Sequence, residues 1–584
     1  MTDTQKADPV TLALFANRFM GIAEAMGNAL RHTSVSTNIK ERLDFSCALF
    51  AADGSLISNA PHLPVHLGSM SFAVKYQVDK LGFGADAPSG DGIVEGDVLL
   101  SNSPTAGGSH LPDITVITPV FDKGKIIFFT ASRGHHADVG GISPGSMSPL
   151  ATTIFQEGAK IESFKIVRKG FYDAEGLRKR LIDEPASYPG SSGSRSYADV
   201  ESDLRAQIAA NQKGITLINA LIAEWGLETV QQYMKFITDN AELAVRTLLK
   251  KTVEKLGRNK LHAIDYMDDG TPIELNITID GSNGSAIFDF EGTGYESWSS
   301  LNAPLAVAYS AIIYCLRALC GEPIPLNSGC LQPIDIRIPE GTLINPSHVS
   351  AVVGGNVTSS QRVTDVVLRA FESCAASQGC CNNFTFGTQD FGFYETIAGG
   401  SGAGPGWHGT SGTQIAMTNT RITDVEIMER RYPVILREFS LREGSGGDGE
   451  YRGGNGVVRD VEFTIPDVQV SILSERRVMA PYGMAGGSDA SRGKNTWIKQ
   501  RRAEDHDLKE GAGPRHINLG PRNTVKFGKG DRFVLHSPGG GGYGKKKEDG
   551  EVRSAHEEAK VSSTSTFRGF MGSIAERAAA QLGV

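Results

Sequence analysis

The sequence predicts a mixed α+β chain of several lobes: an N-terminal mixed α/β lobe built round one hairpin, a central helical segment and a β-rich C-terminal lobe. Three observations carry this. Apolar residues recur at helical spacing in long stretches up to Leu256. Alternating patterns begin at Ile273 and dominate from Tyr432 onward. The 584 residues far exceed one small core, so about two to four lobes are expected. The expected divisions are 1–260, 261–425 and 426–544. Residues 545–584 read as a largely disordered, charged, Ser/Thr-rich tail. Within it, Phe567, Phe570, Met571, Ile574 and Ala578 form a short amphipathic helical stripe.

Composition excludes several classes. Charged residues make up 21% and hydrophobic ones 40%, ordinary for a soluble enzyme. A net charge of −8 offers no basic field for nucleic acid. No apolar run approaches the roughly 20 residues that span a membrane. The opening MTDTQKADPV has no apolar signal core, so the cytosol is the expected compartment. The seven cysteines are odd in number and form no CxxC pair, which fits reduced thiols. Cys380-Cys381 reads as buried small residues, because nothing nearby lowers a thiol pKa. The 69 glycines cluster in doublets such as Gly107-Gly108 and Gly354-Gly355. Doublets permit positive φ and close backbone approach, so the site is expected on loops.

In chain order, Asp8-Pro9 supplies an N-cap and first-turn proline for a helix over Pro9–Thr33. Its Leu12, Phe15, Phe19, Ile22, Met26 and Leu30 share one face. Phe45–Phe50 is a strand, with a turn at Ala52–Gly54 and a second arm over Ser55–Ser58. Asn59–Met70 carries Pro61 and Pro64 and is expected to be an extended loop, its His62 and His66 available to line a site. A helix over Ser69–Leu81 and a strand over Asp97–Ser101 follow. Ser143–Gly158 is a loop. Gly170–Leu181 and Tyr197–Leu256 are helical, the second broken near Gly226. Ile273–Ile279 and Ser285–Phe290 form a hairpin. Asn302–Leu319 and Ser359–Phe371 are helices, and Leu331–Ile338 is a strand. Gly399–Gly412 is too glycine-rich to be regular.

The chemistry concentrates in Gly107–Gly141. Two apolar runs, Ile114–Phe121 and Ile126–Ala131, flank a turn at Asp122–Lys125. With the turn centred on Lys123-Gly124, paired residues have numbers summing to about 247. Asp113 then faces Gly134, and His135 faces Pro112. His110, Asp113 and the His135-His136 pair therefore meet at the open end of one hairpin. Two imidazoles and a carboxylate that close suit a divalent metal: Zn²⁺ or Mn²⁺ first, Fe²⁺ also. Asp44, at another strand start, is a candidate fourth ligand that spacing does not place. His136 and Asp138 are expected as orienting groups or proton carriers. Gly539–Lys546 nearly matches a P-loop, but Lys546 replaces the Mg²⁺-binding hydroxyl and no helix pattern follows.

These stretches resemble the hydantoinase B family, most closely its 5-oxoprolinase branch. The resemblance covers about Asp8 to Gly544. It is carried by NIKERLDFSCALF (Asn38–Phe50), SNAPHLPVHLG (Ser58–Gly68), GGSHLPD (Gly107–Asp113), ASRGHHADVGG (Ala131–Gly141), RAQIAANQKG (Arg205–Gly214), LNAP (Leu301–Pro304), VGGN (Val353–Asn356), TNTRIT (Thr418–Thr423) and PGGGGYG (Pro538–Gly544). It implies a metal held at positions matching Asp44, His110, Asp113 and His135. It also implies a hydantoinase A-type ATPase that phosphorylates the amide or lactam oxygen, this part then completing ring opening of 5-oxoproline or a related cyclic amide. Only the B half is expected here, with ATP acting through that partner and the assembly oligomeric. Ketone carboxylation by a metal-bearing subunit, or a non-enzymatic paralogue, are the rival readings. The sequence departs from the family pattern at Ser103 and at Gln414-Ile415-Ala416, where polar or histidine residues are usual.

Overall fold

The computed structural model describes residues 8–84, 87, 89–321, 326–502 and 513–546. Residues 547–584 of the expected tail and its amphipathic stripe lie outside the described residues.

The first helix, α1 (Pro9–Thr33), begins as expected: Asp8 accepts a hydrogen bond from the Thr11 amide and Pro9 opens the first turn. Strands β1 (Phe45–Ala51) and β2 (Leu56–Asn59) follow. Helix α2 spans Pro64–Leu81, so the expected extended loop over 59–70 is wrong from Pro64 onward. The proline there starts the helix instead of breaking it, because a first-turn residue needs no N–H. This puts His66 on a helix. Strands β3 (Val98–Ser101), β4 (Asp113–Asp122), β5 (Lys125–His135), β6 (Phe164–Arg168) and β7 (Phe171–Tyr172) complete a seven-stranded sheet ordered β2-β1-β5-β4-β3-β6-β7. The helix expected from Gly170 thus gives way first to β7. Only then come the short helices α3 (Ala174–Arg178) and α4 (Glu184–Ala186).

Helices α5 (Tyr197–Trp225) and α6 (Leu227–Leu256) break at Gly226, as the sequence indicates. The sheet is buried on both faces, and alternation sorts its side chains. Phe45, Cys47, Leu49 and Phe128 pack with α1 and α5. Ala48, Phe50, Phe129 and Ala131 pack with α2 on the other face. Polar side chains on α5 clamp the β4–β5 hairpin. Gln207 Nε2 donates to the Ile114 and Ser132 carbonyls, and Asn211 Nδ2 donates to Val116.

A second sheet joins β8 (Lys260–Tyr266), β9 (Pro272–Asp280), β10 (Ser285–Asp289) and β11 (Ile334–Arg337), with β10 and β11 parallel. Strand β8 was not expected. Helix α7 (Leu305–Cys320) packs behind α2, and α8 (Ser360–Ala370) lies across β8 and β9. Strands β12 (Asn383–Gly387) and β13 (Gly392–Glu395), also unexpected, pair with each other; β12 also pairs with β16 (Val468–Leu473), which pairs with β19 (Arg522–Phe527). After the short α9 (Val425–Arg431), β14 (Val434–Leu441), β15 (Val457–Phe463), β17 (Lys494–Lys499), β18 (Arg515–Asn518) and β20 (Arg532–His536) form a fourth sheet. The last two sheets share one core, where the rings of Phe384 and Phe533 stack 4.6 Å apart.

Glycine does steric work in the C-terminal loops. The Pro538–Gly544 stretch runs between other glycine segments, with Gly540 N–H on Gly454 O and Gly447 N–H on Gly540 O. A Cβ on Gly540 would sit 1.9 Å from Ser401 O. The P-loop-like stretch is therefore a backbone-packing segment, and among the described residues no helix follows it.

Candidate metal centre

A β-bulge sets the geometry of the site. Near the turn the β4–β5 pairing follows the expected sum: Asp122 faces Lys125 and Phe121 faces Ile126. Beyond the bulge, Val120 faces Phe128, and the shifted register carries through to Asp113 facing His135. One extra residue in β5, Ile127, thus brings the imidazole directly opposite the carboxylate, one position from where simple pairing puts it.

His110, Asp113 and His135 converge as the spacing indicates. Their ligand atoms lie within 4.8 Å of one another, and all three residues are buried. His110 Nε2 is 3.0 Å and His135 Nδ1 3.2 Å from Asp113 Oδ1. The two ring nitrogens are 3.2 Å apart. Such spacing between adjacent ligand atoms suits a cation bonded about 2.0–2.2 Å from each. The surroundings fit the same role. His110 donates from Nδ1 to the Val353 carbonyl at 3.3 Å, which leaves its Nε2 lone pair facing the cluster. Asp113 Oδ2 is taken by Ser109 Oγ at 2.5 Å and His66 Nε2 at 3.1 Å, leaving Oδ1 toward the histidines. Burial would raise the Asp113 carboxyl, but His110 and His66 outweigh it and hold it well below the ordinary range.

His66 is the residue that sequence reasoning undervalued. It lies on the first turn of α2 and completes a chain from Ser46 Oγ, 2.9 Å from its Nδ1, to Asp113. His62 does not share this role. It accepts from the Cys47 amide and packs edge-on against Phe45.

Asp44 lines the same narrow cavity as Asp113, His66 and His135, but falls outside the tight three-residue group. Its nearest cation is Arg42 Nη2 at 3.8 Å. Burial pushes its carboxyl above the ordinary range, against the pull of His135 and Arg42. A buried carboxylate so weakly paired suits a site that receives a cation. Tyr394 forms another wall. Its ring stacks on His135 at 4.3 Å, the Arg42 guanidinium lies 4.8 Å from its centroid, and its hydroxyl donates to Asn383. Asn356, Cys381, Thr396, Met417 and Thr418 also line it, with the apolar Leu63, Val65 and Val357.

The roles expected of His136 and Asp138 are not supported by their placement. Neither lines the cavity. Alternation along the chain turns His136 away from His135, and its Nε2 donates to Gln207 on α5 at 2.9 Å. Asp138 accepts from the amides of Gly140, Gly145 and Arg195 and pairs with the Arg195 guanidinium at 3.1 Å. A carboxylate so fully engaged is a structural anchor. Of the departures from the family pattern, Ser103 bonds Thr105 away from the cavity. Gln414 donates to Thr396, a cavity residue, at 3.0 Å.

Glu157 fixes the backbone that meets His110. Its Oε1 accepts from the Val352 and Val353 amides, both at 2.8 Å, just where the Val353 carbonyl meets His110. Burial pushes its carboxyl up to about 8, against the pull of those amides. The folded chain therefore keeps a proton that the unfolded chain releases, and stability falls as pH rises toward 8, by at most about 1.4 kcal/mol per pH unit. Glu157→Gln cannot ionise. Its melting temperature relative to wild type is expected to shift in its favour between about pH 5 and pH 9; a difference independent of pH contradicts this.

The hydantoinase B/oxoprolinase family model matches residues 8–546. The chain belongs to the hydantoinase B/oxoprolinase family. It is 55% identical over 551 residues to 5-oxoprolinase 1 of Arabidopsis thaliana, covering 92% of this chain and 42% of that one. It is 51% identical over 560 residues to 5-oxoprolinase of Saccharomyces cerevisiae, covering 93% of this chain and 42% of that one. The chain thus spans about two fifths of the length of these curated relatives. An uncharacterised protein of Methanocaldococcus jannaschii is 34% identical, with 96% of each chain covered. Among solved structures, the fold is similar to an ATP-dependent caprolactamase from Pseudomonas jessenii, at TM-score 0.79 and 23% identity, covering 96% of this chain and 100% of that one. It is also similar to nucleotide-free acetone carboxylase, at TM-score 0.79 and 19% identity, covering 92% and 76%. The multi-lobed mixed α+β architecture is thus shared with both of these solved structures. Among the described residues no helix is long and apolar enough to cross a membrane.

Proposed function

We propose that this hydantoinase B chain is the ring-opening part of an ATP-coupled cyclic amide hydrolase. Its substrate is 5-oxoproline or a related lactam or cyclic imide. The observation that carries the reading is the buried convergence of His110, Asp113 and His135, in a family whose relatives at 51% and 55% identity are named 5-oxoprolinase.

On this reading His110, Asp113 and His135 hold a divalent metal, Zn²⁺ or Mn²⁺ before Fe²⁺, with Asp44 as the fourth ligand. When bound, such an ion supplies Lewis acidity toward an acyl oxygen or hydroxide at neutral pH. The chain's own residues supply orientation. Ser46 and His66 hold Asp113, Val353 sets the His110 tautomer, and Tyr394 caps His135 and keeps water off that face. ATP is consumed by a hydantoinase A-type ATPase partner, in an oligomeric cytosolic assembly.

The test combines the metal-loaded chain with a hydantoinase A-type ATPase subunit and 5-oxoproline, hydantoins or lactams. Ring opening coupled to ATP hydrolysis is expected for at least one. Absence of turnover on all three classes overturns the reading and favours a second one, a metal-holding subunit without catalysis. Gln414, standing beside cavity residue Thr396 where the family pattern has histidine, motivates that alternative.

A further inference from the structure

We propose that the side-chain oxygen of Asn356 is an additional metal ligand, reached by a half-turn of its amide. The proposal rests on the metal reading of the cavity. Asn356 lines that cavity and is 4% exposed. Its Nδ2 donates to His110 Nε2 at 3.1 Å. Its Oδ1 is buried with no hydrogen-bond partner. A buried amide oxygen without a partner is an anomaly that calls for an occupant.

The present hydrogen bond and a bound cation exclude each other. His110 Nδ1 is committed to the Val353 carbonyl, so Nε2 is the nitrogen left to bind a metal. Once a cation takes that lone pair, the Asn356 N–H has lost its acceptor and points at positive charge. The amide's two ends are nearly the same size, and a half-turn about the last side-chain bond exchanges them. Oδ1 then takes the place of Nδ2, 3.1 Å from His110 Nε2. That matches the 3.0, 3.2 and 3.2 Å that separate Asp113 Oδ1, His110 Nε2 and His135 Nδ1. The half-turn breaks one hydrogen bond, which the cation breaks in any case, and gives the orphaned oxygen a partner.

The backbone is already fixed for this. Gly354 and Gly355 both donate to the Ser300 carbonyl, and a Cβ on Gly355 would sit 2.0 Å from Asn302 O. The Asn356 carbonyl accepts from Ser360 Oγ at 2.6 Å. Only the side chain needs to move. A neutral oxygen added to two imidazoles and carboxylates makes the set richer in hard donors, which suits Mn²⁺ better than a closed four-coordinate Zn²⁺ site.

The test titrates the metal-free full chain with Co²⁺ alone, followed by its visible spectrum, and with Mn²⁺ alone by equilibrium dialysis. Failure of the wild-type chain to bind either ion sinks the metal reading itself. With wild-type binding in hand, Asn356→Asp separates the roles by sign. A carboxylate keeps the oxygen donor and adds charge, but cannot donate to His110. The proposal expects this variant to bind at least as tightly as wild type. It expects Asn356→Ala to bind more than about tenfold more weakly, with a changed Co²⁺ spectrum. Weaker binding by Asn356→Asp overturns the proposal, as does Asn356→Ala with unchanged affinity and spectrum. If the alanine variant does not fold, the aspartate variant decides alone.

Discussion

Arg476→Met is expected to destabilise the chain by about 3–5 kcal/mol at neutral pH, the cost of leaving a buried charge unpaired. Arg476 Nη2 lies 2.7 Å from both Asp265 Oδ2 and Asp365 Oδ2, and its side chain is 1% exposed. Asp265 stands on β8 and Asp365 on α8, while Arg476 follows β16 of the C-terminal sheets. One guanidinium therefore ties the central sheet to the C-terminal lobe. Burial would raise Asp265, but Arg476 and Arg362 outweigh it and hold it below the ordinary range. Asp365 is raised, by burial first. Without Arg476 the two carboxylates repel each other in a dry site, and both pKa values rise. The folded variant then gains stability relative to wild type as pH falls and its carboxylates take up protons. Denaturant unfolding at several pH values measures this. A deficit under about 1 kcal/mol, set against that expected range, or one that does not shrink on acidification, contradicts the account.

Asp113→Asn is expected to remove metal and to lower turnover by at least about a hundredfold, since several kcal/mol of charge stabilisation depend on the ion. Asp113 is the hub of the site. Two histidines meet its Oδ1, and a serine and a third histidine meet its Oδ2. An amide carries no charge, and its NH₂ end cannot accept from any of them. Metal content and steady-state turnover with an ATPase partner, alongside an unchanged circular dichroism spectrum, check it. Retained metal and full turnover contradict it.

Much of this was legible in the residues, and what was missed has physical causes. The hairpin and the convergence of His110, Asp113 and His135 at its open end were readable because strand alternation and one short turn nearly fix the pairing. The final register was not, because the bulge at Ile127 leaves no clear mark in a run of apolar residues. Helix α1 announced itself through its cap and its stripe of core residues. The start of helix α2 did not, because Pro64 serves a breaker and a helix start equally well; only its Ser69–Leu81 part was expected. His66, named as a residue that could line a site, was therefore expected on a loop and not on a helix. Strands β12 and β13 were hidden because both are short and buried along their length, so no alternation shows. His136 and Asp138 follow His135 closely in sequence but lie outside the cavity: β5 ends at His135, His136 meets Gln207 and Asp138 is held by Arg195 and loop amides. Glu157 gave no local signal, since its contacts lie far away in the chain, and Asn356 stood out only as the end of the VGGN stretch.

The most direct measurement of the central claim is the metal content of the purified full chain and of its His110→Ala/His135→Ala variant, each equilibrated with Mn²⁺ or Zn²⁺ and freed of loose ions. The account predicts about one ion per wild-type chain, and affinity in the variant reduced by more than the ten- to hundredfold that loss of an outer neighbour brings. A variant that keeps full occupancy would contradict it.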